Sequence, residues 1–463
     1  MFRLFAGLEH AHFVGIGGAG MSGIAEVLLD YDLVVSGCDL AASATTRRLE
    51  QLGVEIRRGH SADHLAGVDL VVKSSAVPED NQEILAARER GITVVRRAEM
   101  LAELMRLKYG IAVAGSHGKT TTTSLVGTLL TEAGLDPTVI VGGRMRVSGT
   151  GARIGKSDYL VAEADEFDKS FLRLMPILAV VTSIDRDHLD TYGDLDAIRE
   201  AFVEFADRVP FFGQIILCLD DANVQGVLPR LAQHHRVTTY GLSPQADLAA
   251  RDLVPSPAGS RFTVVGATAG ALGEITVPLP GVHNVRNTLA AVAVGRALGL
   301  DFERISASLA AFRGVHRRFE RVGEWRGAPV IDDYAHHPTE VTATLKAARQ
   351  AFPGARLVAV FQPHLFSRTR DLCEEFARAL LLADEAVVTA IYPSRESPIP
   401  GVSGEDIVRS ARQSGHRRIA YCADWRQVPD HLGGGIGGGD VVFTLGAGDI
   451  YHLARQLAEE GPA

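Results

Sequence analysis

Gly15-Ile16-Gly17-Gly18-Ala19-Gly20 and Gly115-Ser116-His117-Gly118-Lys119-Thr120 are two glycine-rich turns of different chemistry in one chain of 463 residues. The first fits G-x-G-x-x-G, and the second ends in the G-K-T of a P-loop. Each follows an apolar run and precedes a helical stretch: residues 12–16 and 21–29 flank the first, and residues 109–114 and 121–133 flank the second. Such a turn lets backbone N–H groups approach a pyrophosphate at the positive end of the next helix. Only the second turn adds a lysine for β- and γ-phosphates and a hydroxyl for Mg²⁺. The pair predicts two nucleotide-like ligands, and ATP-driven chemistry on a substrate that itself carries a diphosphate.

Outward from the first turn, residues 33–37, 68–72 and 92–95 are further apolar runs between helical stretches, with Asp39 at the end of the second strand. This is a βαβ pattern with a parallel sheet. A second unit opens with the P-loop and continues through strand candidates at 159–162, 177–184 and 215–219. Their ends carry Glu163-Ala164-Asp165-Glu166 and Asp185-Arg186-Asp187-His188, where ligands of doubly wound sheets gather. Residues 246–280 read as small antiparallel strands and 283–298 as a helix. A third unit starts near Val315, with strands at 330–331, 357–361, 386–391 and 441–445 and a flexible surface loop over 433–439. The predicted class is α/β with three domains: a Rossmann-like domain over 1–107, a central P-loop ATPase-type domain over 108–314 and a C-terminal Rossmann-like domain over 315–463.

Composition narrows the function classes. A length of 463 residues suits roughly three domains on a prior of about 150 residues each. A formal charge of −9 does not suit a nucleic-acid binder. Cys38, Cys218, Cys373 and Cys422 are far apart with no C-x-x-C, so neither a zinc site nor a disulfide framework is expected, and a reducing cytoplasm fits. No segment has the about 18 unbroken apolar residues of a membrane span.

Each candidate residue has a plainer alternative. The first glycine turn and Asp39 suit a dinucleotide or related ligand, or a tight turn needed only for packing. The P-loop is short, because Val113 takes the place of the first Walker glycine. Its strand–turn–helix context still gives Lys119 to phosphates and Thr120 to Mg²⁺. Glu163 and His188 could complete one or two Mg²⁺ sites, with His188 the softer ligand, or the acidic strand ends could merely cap helices, as Asp165 or Asp168 would. Asn284 and Asn287 open a helix and could cap it or read adenine or ribose. Arg317, Arg318, Asp333, His336, His364, Arg368 and Arg370 cluster after successive strands of the third unit, where arginines suit a carboxylate or a transferring phosphoryl group. An NAD-dependent oxidoreductase using the first loop leaves the P-loop unexplained, and a non-catalytic nucleotide-binding regulator is the other alternative.

These motifs together resemble the Mur ligases of peptidoglycan synthesis. The matching stretches are residues 12–21, 115–123, 163–168, 187–192, 283–284, 317–320, 332–338, 361–370 and 445–449, nearly the whole chain. The Gln362-Pro363-His364 to Ser367-Arg368-Thr369-Arg370 segment resembles the alanine-adding branch more than relatives that attach later residues or a preformed peptide. The resemblance implies a ligase that uses ATP and Mg²⁺ to join L-alanine to the lactyl carboxylate of UDP-N-acetylmuramate through an acyl phosphate. It implies a cytoplasmic monomer or homodimer with no nucleic-acid or membrane partner.

The resemblance also distributes the residues. Gly15, Gly17, Gly18, Ala19, Gly20, Asp39, Ser74 and Ser75 go to the UDP substrate. Gly115, Ser116, His117, Gly118, Lys119, Thr120, Thr121, Asn284, Asn287 and Arg318 go to ATP. Thr120, Glu163 and His188 go to the metal, and His364, Arg368 and Arg370 to the amino acid. Lys119, Arg318, Asp333 and His336 are the implied catalytic set, with His336 the candidate base. Phe167 and Leu365 depart from the branch pattern, and Leu365 leaves the alanine carboxylate to Arg368 or Arg370. Several family members carry a carbamylated lysine that bridges a second Mg²⁺. No lysine lies between Lys169 and Lys346 here, so that device is not expected, and a carboxylate such as Glu200 or Glu204 could take its place.

Overall fold

The computed structural model describes residues 7–142, 151–394 and 396–461, with the side chains of Ala19 and Asp190 outside that description. Three sheets organise the chain, one for each domain of a three-domain α/β architecture. The first has the order Glu55–Arg58, Val34–Asp39, His10–Val14, Leu70–Lys73, Thr93–Arg96, all parallel. The strand that feeds the first glycine turn is therefore central, at the point where strand order reverses, which is where open α/β sheets bind ligands. Glu55–Arg58 was not among the expected strands. It is a short edge strand of sequence EIRR, mostly exposed, so it has no apolar run to betray it.

In the second sheet the P-loop strand Tyr109–Ala114 lies between Leu178–Val181 and Tyr159–Glu163, parallel to both. Beyond Leu178–Val181 come Gln214–Cys218 and Val237–Gly241, and beyond Tyr159–Glu163 come Thr138–Ile140 and the antiparallel Ala152–Arg153. The strands expected over 246–280 are present. Leu248–Ser256, Gly259–Gly266 and Gly270–Val277 extend this same sheet to ten strands, and the first of them pairs parallel with Val237–Gly241.

The third sheet runs Glu320–Trp325, Ala328–Asp333, Asp440–Leu445, Arg356–Phe361, Glu385–Val388, Ile419–Tyr421. Only the first pair is antiparallel. Val330, Val358, Val360 and Val442 pack on one face and Ile331, Ala359, Phe361 and Phe443 on the other, so the middles of the inner strands are apolar on both faces, as a parallel sheet covered on both sides demands. The Gly433–Gly435 stretch of the expected flexible loop forms a 3₁₀ turn, and Arg356 N donates to Gly439 O at 3.0 Å, which ties the loop to the sheet.

Contacts divide the chain into two compact units. One comprises Met1–Asp252, Phe262–Thr276 and Arg286–Val315, and the other Leu253–Arg261, Val277–Val285 and His316–Ala463. The first sheet and most of the second lie in the first unit, with one continuous apolar core that runs from Phe13 and Ile24 through Met105 and Ala112 to Phe202.

Candidate active site

At the first glycine turn, Gly15 N and Ile16 N both donate to Cys38 O at 3.0 Å, which clamps the loop to the neighbouring strand. Gly17 N donates to Asp39 Oδ2 at 2.8 Å, and a Cβ on Gly17 would stand 2.7 Å from that oxygen. Asp39 thus braces the loop itself. In dinucleotide enzymes the acid at this place is turned to a ribose hydroxyl. The helix Ala19–Asp30 starts after Gly18 with no side-chain cap, which leaves its first N–H groups for a ligand. Gly20 packs against Arg97. Ser74 sits against Gly15 and accepts from Ala76 N, while Ser75 is exposed.

The P-loop helix Lys119–Glu132 is likewise uncapped, and its N-cap Gly118 is left-handed at φ 83°. A Cβ there would meet Asn287 Oδ1 at 2.6 Å, so the turn and Asn287 are in close approach. Asn287 and Asn284 are both buried, and Asn284 Nδ2 donates to Pro280 O at 2.8 Å. Ser116 Oγ accepts from Asp185 N at 2.8 Å, His117 Nε2 pairs with Asp185 Oδ2 at 2.8 Å, and Thr182 Oγ1 donates to His117 O. Thr121 is buried in the first turn. The loop is thereby tied to the end of the adjacent strand Leu178–Val181.

Lys119 Nζ donates to Gly115 O at 2.8 Å and to both carboxylate oxygens of Glu166 at 2.9 and 2.7 Å. Burial works against its charge, but Glu166, Asp165 and Glu163 outweigh it and hold the ammonium above its usual range. Burial pushes the Glu166 carboxyl up to about 7, against the pull of Lys119. Thr120 Oγ1 lies 3.0 Å from Glu163 Oε2. His188 Nε2 is 3.9 Å from Glu166 Oε1 and 3.7 Å from Asp187 Oδ2, with its ring edge-on to Phe167. A hydroxyl and carboxylates are the hard oxygen donors that Mg²⁺ takes, so this set fits the ion.

Glu166 is the residue that sequence reasoning left unassigned. Its signal was the acidic run after Tyr159–Glu163, which sits 47 positions from Lys119 in the chain. Glu200 and Glu204, the candidates to replace a carbamylated lysine, instead face outward and pair with Arg230 and Arg208. They lie on exposed positions of the helix Leu195–Ala206, whose other face is apolar and buried, so neither joins the carboxylates around Lys119.

In the other unit, the ends of Ala328–Asp333, Arg356–Phe361 and Asp440–Leu445 converge. Arg317 donates to Asp332, Gly446 O and Gly448 O and stacks on Tyr334 and Tyr451, which makes it a brace for these loops. Arg318 lies over the Tyr334 ring at 5.2 Å and 3.9 Å from Glu340. Asp333 is 5% exposed and accepts from Phe319 N and Ala335 N. Its burial, only partly offset by Arg318, raises its carboxyl to about 6.

His336 Nδ1 faces Tyr334 O at 3.0 Å and Glu340 Oε2 at 3.1 Å. Two acceptors there hold the proton on Nδ1 and leave the lone pair on Nε2. The His336 and His364 rings are 5.6 Å apart, and His364 stacks on Tyr392. Leu365, at φ 70°, turns the chain into the helix Phe366–Asp371. That helix buries Arg368 and points Arg370 outward, where Arg370 pairs with Asp371. Two residues along a helix are about 200° apart, so one helix cannot present both arginines to one ligand.

The chain matches three family models in order: "Mur ligase family, catalytic domain" over residues 10–109, "Mur ligase middle domain" over 113–295 and "Mur ligase, glutamate ligase domain" over 317–448. It is 53% identical over 459 residues to a UDP-N-acetylmuramate–L-alanine ligase of Sorangium cellulosum, covering 99% of this chain and 97% of that one. Among solved structures it is similar to a UDP-N-acetylmuramate–alanine ligase of Thermotoga maritima, with a TM-score of 0.81 and 31% identity over 98% of each chain. A murein peptide ligase of Psychrobacter arcticus is also similar, with a TM-score of 0.69 and 25% identity over 98% of each chain.

Asp333 imposes a pH dependence on the stability of its unit. Its carboxyl ordinarily titrates at 3.8 and in the fold at about 6, so between those values the folded chain binds more proton than the unfolded one. The stability from this group is complete below the lower value and falls as pH rises through the upper one. Asp333→Asn should flatten that fall by up to about 1.4 kcal/mol per pH unit. Both tryptophans, Trp325 and Trp425, lie in this unit, so urea unfolding followed by tryptophan fluorescence across the window reads the difference. Parallel slopes in the parent and the variant would show that burial does not raise Asp333.

Proposed function

The chain belongs to the Mur ligase family, and from that premise we propose that it joins L-alanine to the lactyl carboxylate of UDP-N-acetylmuramate, driven by ATP, in peptidoglycan precursor synthesis. The observation that carries this reading is the 53% identity, over nearly its whole length, to a relative named for that reaction. The P-loop carries its ATP half. The lactyl carboxylate attacks the γ-phosphorus and forms an acyl phosphate and ADP. The amine of L-alanine then attacks the acyl carbon, the amide forms and inorganic phosphate leaves.

Catalysis on this reading is mainly positioning and charge neutralisation. The N–H groups of the P-loop, with Ser116, Gly118 and Thr121, cradle the triphosphate, and Lys119 meets the charge on the moving phosphoryl group. Thr120 and Glu163, with His188 beside them, would hold Mg²⁺, which would supply further positive charge against the phosphates. Asn284 and Asn287 serve the adenine side. The uncapped helix after Gly18 takes the uridine diphosphate, with Asp39 keeping the loop in shape. In the C-terminal domain His364 and Arg368 receive alanine. The lone pair of His336 Nε2 takes the proton that the attacking amine must lose, and Arg318 and Asp333 complete the set. Arg370 is left out of it because it faces away.

We place the domain limits at 1–107, 108–314 and 315–463. The enzyme works in the cytoplasm as a monomer or homodimer. Among the described residues, no helix is long and apolar enough to cross a membrane.

Phosphate release with ATP, UDP-N-acetylmuramate and one amino compound at a time tests the whole reading. L-Alanine should support turnover, and a preformed tripeptide should not. Turnover with the tripeptide alone would assign the chain to the peptide-adding relatives.

Lys119→Ala should lower turnover by on the order of 10²-fold or more, the scale of a single preorganised electrostatic contact. Near-normal turnover in a folded variant would remove Lys119 from the phosphoryl site.

Arg368→Lys keeps the charge and loses the planar fork, so KM for L-alanine should rise while KM for ATP stays within about twofold. Arg368→Ala should go further in the same direction. A rise confined to ATP would reassign Arg368 to the nucleotide.

A further inference from the structure

Beneath the first glycine turn lies a buried cluster that the ligase reaction does not use. His12 on the strand His10–Val14, Cys38 on Val34–Asp39, His64 on the 3₁₀ turn Ala62–Leu65 and Glu83 at the start of the helix Gln82–Glu89 each point one donor atom inward. These four donor atoms all lie within 4.8 Å of one another. His12, Cys38 and Glu83 are at most 1% exposed, and the His64 side chain is 10% exposed. Cys38 Sγ donates to Glu83 Oε2 at 2.9 Å, His64 Nδ1 is hydrogen-bonded to Glu83 Oε1, and His60 Nδ1 sits 3.1 Å from Glu83 Oε2.

A plain hydrogen-bond network accounts for most of this. Glu83 is satisfied by His60, His64, Cys38 and Ser61 N. It does not account for His12. The ring nitrogen Nε2 of His12 is buried with no hydrogen-bond partner, and the nearest carboxylate oxygen, Glu83 Oε1, is 3.9 Å away. The other ring nitrogen, Nδ1, lies 2.8 Å from Ser36 Oγ. With the proton on Nδ1 and given to Ser36, the Nε2 lone pair points into the cluster. That is how metal-ligating histidines are held, with the far nitrogen hydrogen-bonded to fix the tautomer.

We propose that His12, Cys38, His64 and Glu83 form a four-coordinate site for a zinc-like divalent cation. Two imidazoles, one thiolate and one carboxylate are zinc donors and saturate a tetrahedral ion, which makes the site structural and closed to a reacting water. Thiolate and carboxylate together cancel the charge of the ion, so the buried centre is neutral. Binding displaces the thiol proton to solvent, along with any proton held between Glu83 and His64. His60 then keeps the second carboxylate oxygen. The Cys38 carbonyl accepts from Gly15 N and Ile16 N, so the ion pins the strand end on which the glycine turn rests. It would therefore act as a staple under the UDP-side loop, distinct from the Mg²⁺ site of the P-loop, whose residues offer no sulfur.

Cobalt(II) titration of the metal-free full-length chain, followed by visible absorption, tests this. One equivalent should bring up a thiolate-to-cobalt charge-transfer band with tetrahedral d–d bands. Co²⁺ bound at oxygen ligands of the P-loop gives no such band. Zn²⁺ should displace the signal, and Mg²⁺ should not. Cys38→Ser should lose the charge-transfer band, His12→Gln should lose the tetrahedral signature, and Ser36→Ala, one step removed, should weaken binding by about 10- to 100-fold. Circular dichroism confirms that each variant is folded. Should any of them not fold, the parent titration still decides. No charge-transfer band in the parent, or a band that survives in folded Cys38→Ser, overturns the proposal.

Discussion

A parallel sheet covered on both faces has no room for polar side chains except at the ends of its strands. That constraint governs the inner strands of the C-terminal sheet and the strands around the P-loop. Val330 and Val360 fill one face of the C-terminal sheet while Ile331 and Phe361 fill the other, so polar side chains gather at the strand ends, at Asp332, Asp333 and Gln362. In the central sheet Val113 and Val161 are fully buried, and Glu163 and the P-loop begin where burial ends. The residues assigned to phosphate and phosphoryl chemistry therefore gather at the carboxyl ends of these strands.

Confining charge to a half-buried edge has an electrostatic consequence. Lys119 keeps its ammonium because Glu166 faces it, with Asp165 and Glu163 nearby. The cation is thus desolvated and oriented before any nucleotide arrives, and little reorganisation remains for the reaction itself. Glu166 is raised to about 7 by the same burial. The Thr120 hydroxyl and Glu163, 3.0 Å apart, are preassembled in the same way for a hard cation.

The two glycine turns look alike in sequence and are braced differently. The first is held by Cys38 O and by Asp39, which accepts from Gly17 N. That bond turns one oxygen of Asp39 to its own loop. The second is held by the strand beside it, through Ser116 to Asp185 N and His117 to Asp185.

The sequence alone determined what is local. Most apolar runs of strand length, the glycines before helices and the Gly118-Lys119-Thr120 triplet depend on neighbours within a few residues and were legible, whereas the short Thr138–Ile140 and Val237–Gly241 were not. The edge strand Glu55–Arg58 was not, because its stability comes from pairing with Val34–Asp39 and not from its own apolar content. Nor was the outward turn of Arg370, which follows from which face of a short helix is buried. Glu166 could be seen as an acid but not as the partner of Lys119. His12, Cys38, His64 and Glu83 showed no ligand spacing, since they come from four elements that only the packed domain brings together. Tertiary structure decided these points because a buried charge or lone pair is set by what surrounds it in space, and chain distance carries no record of that.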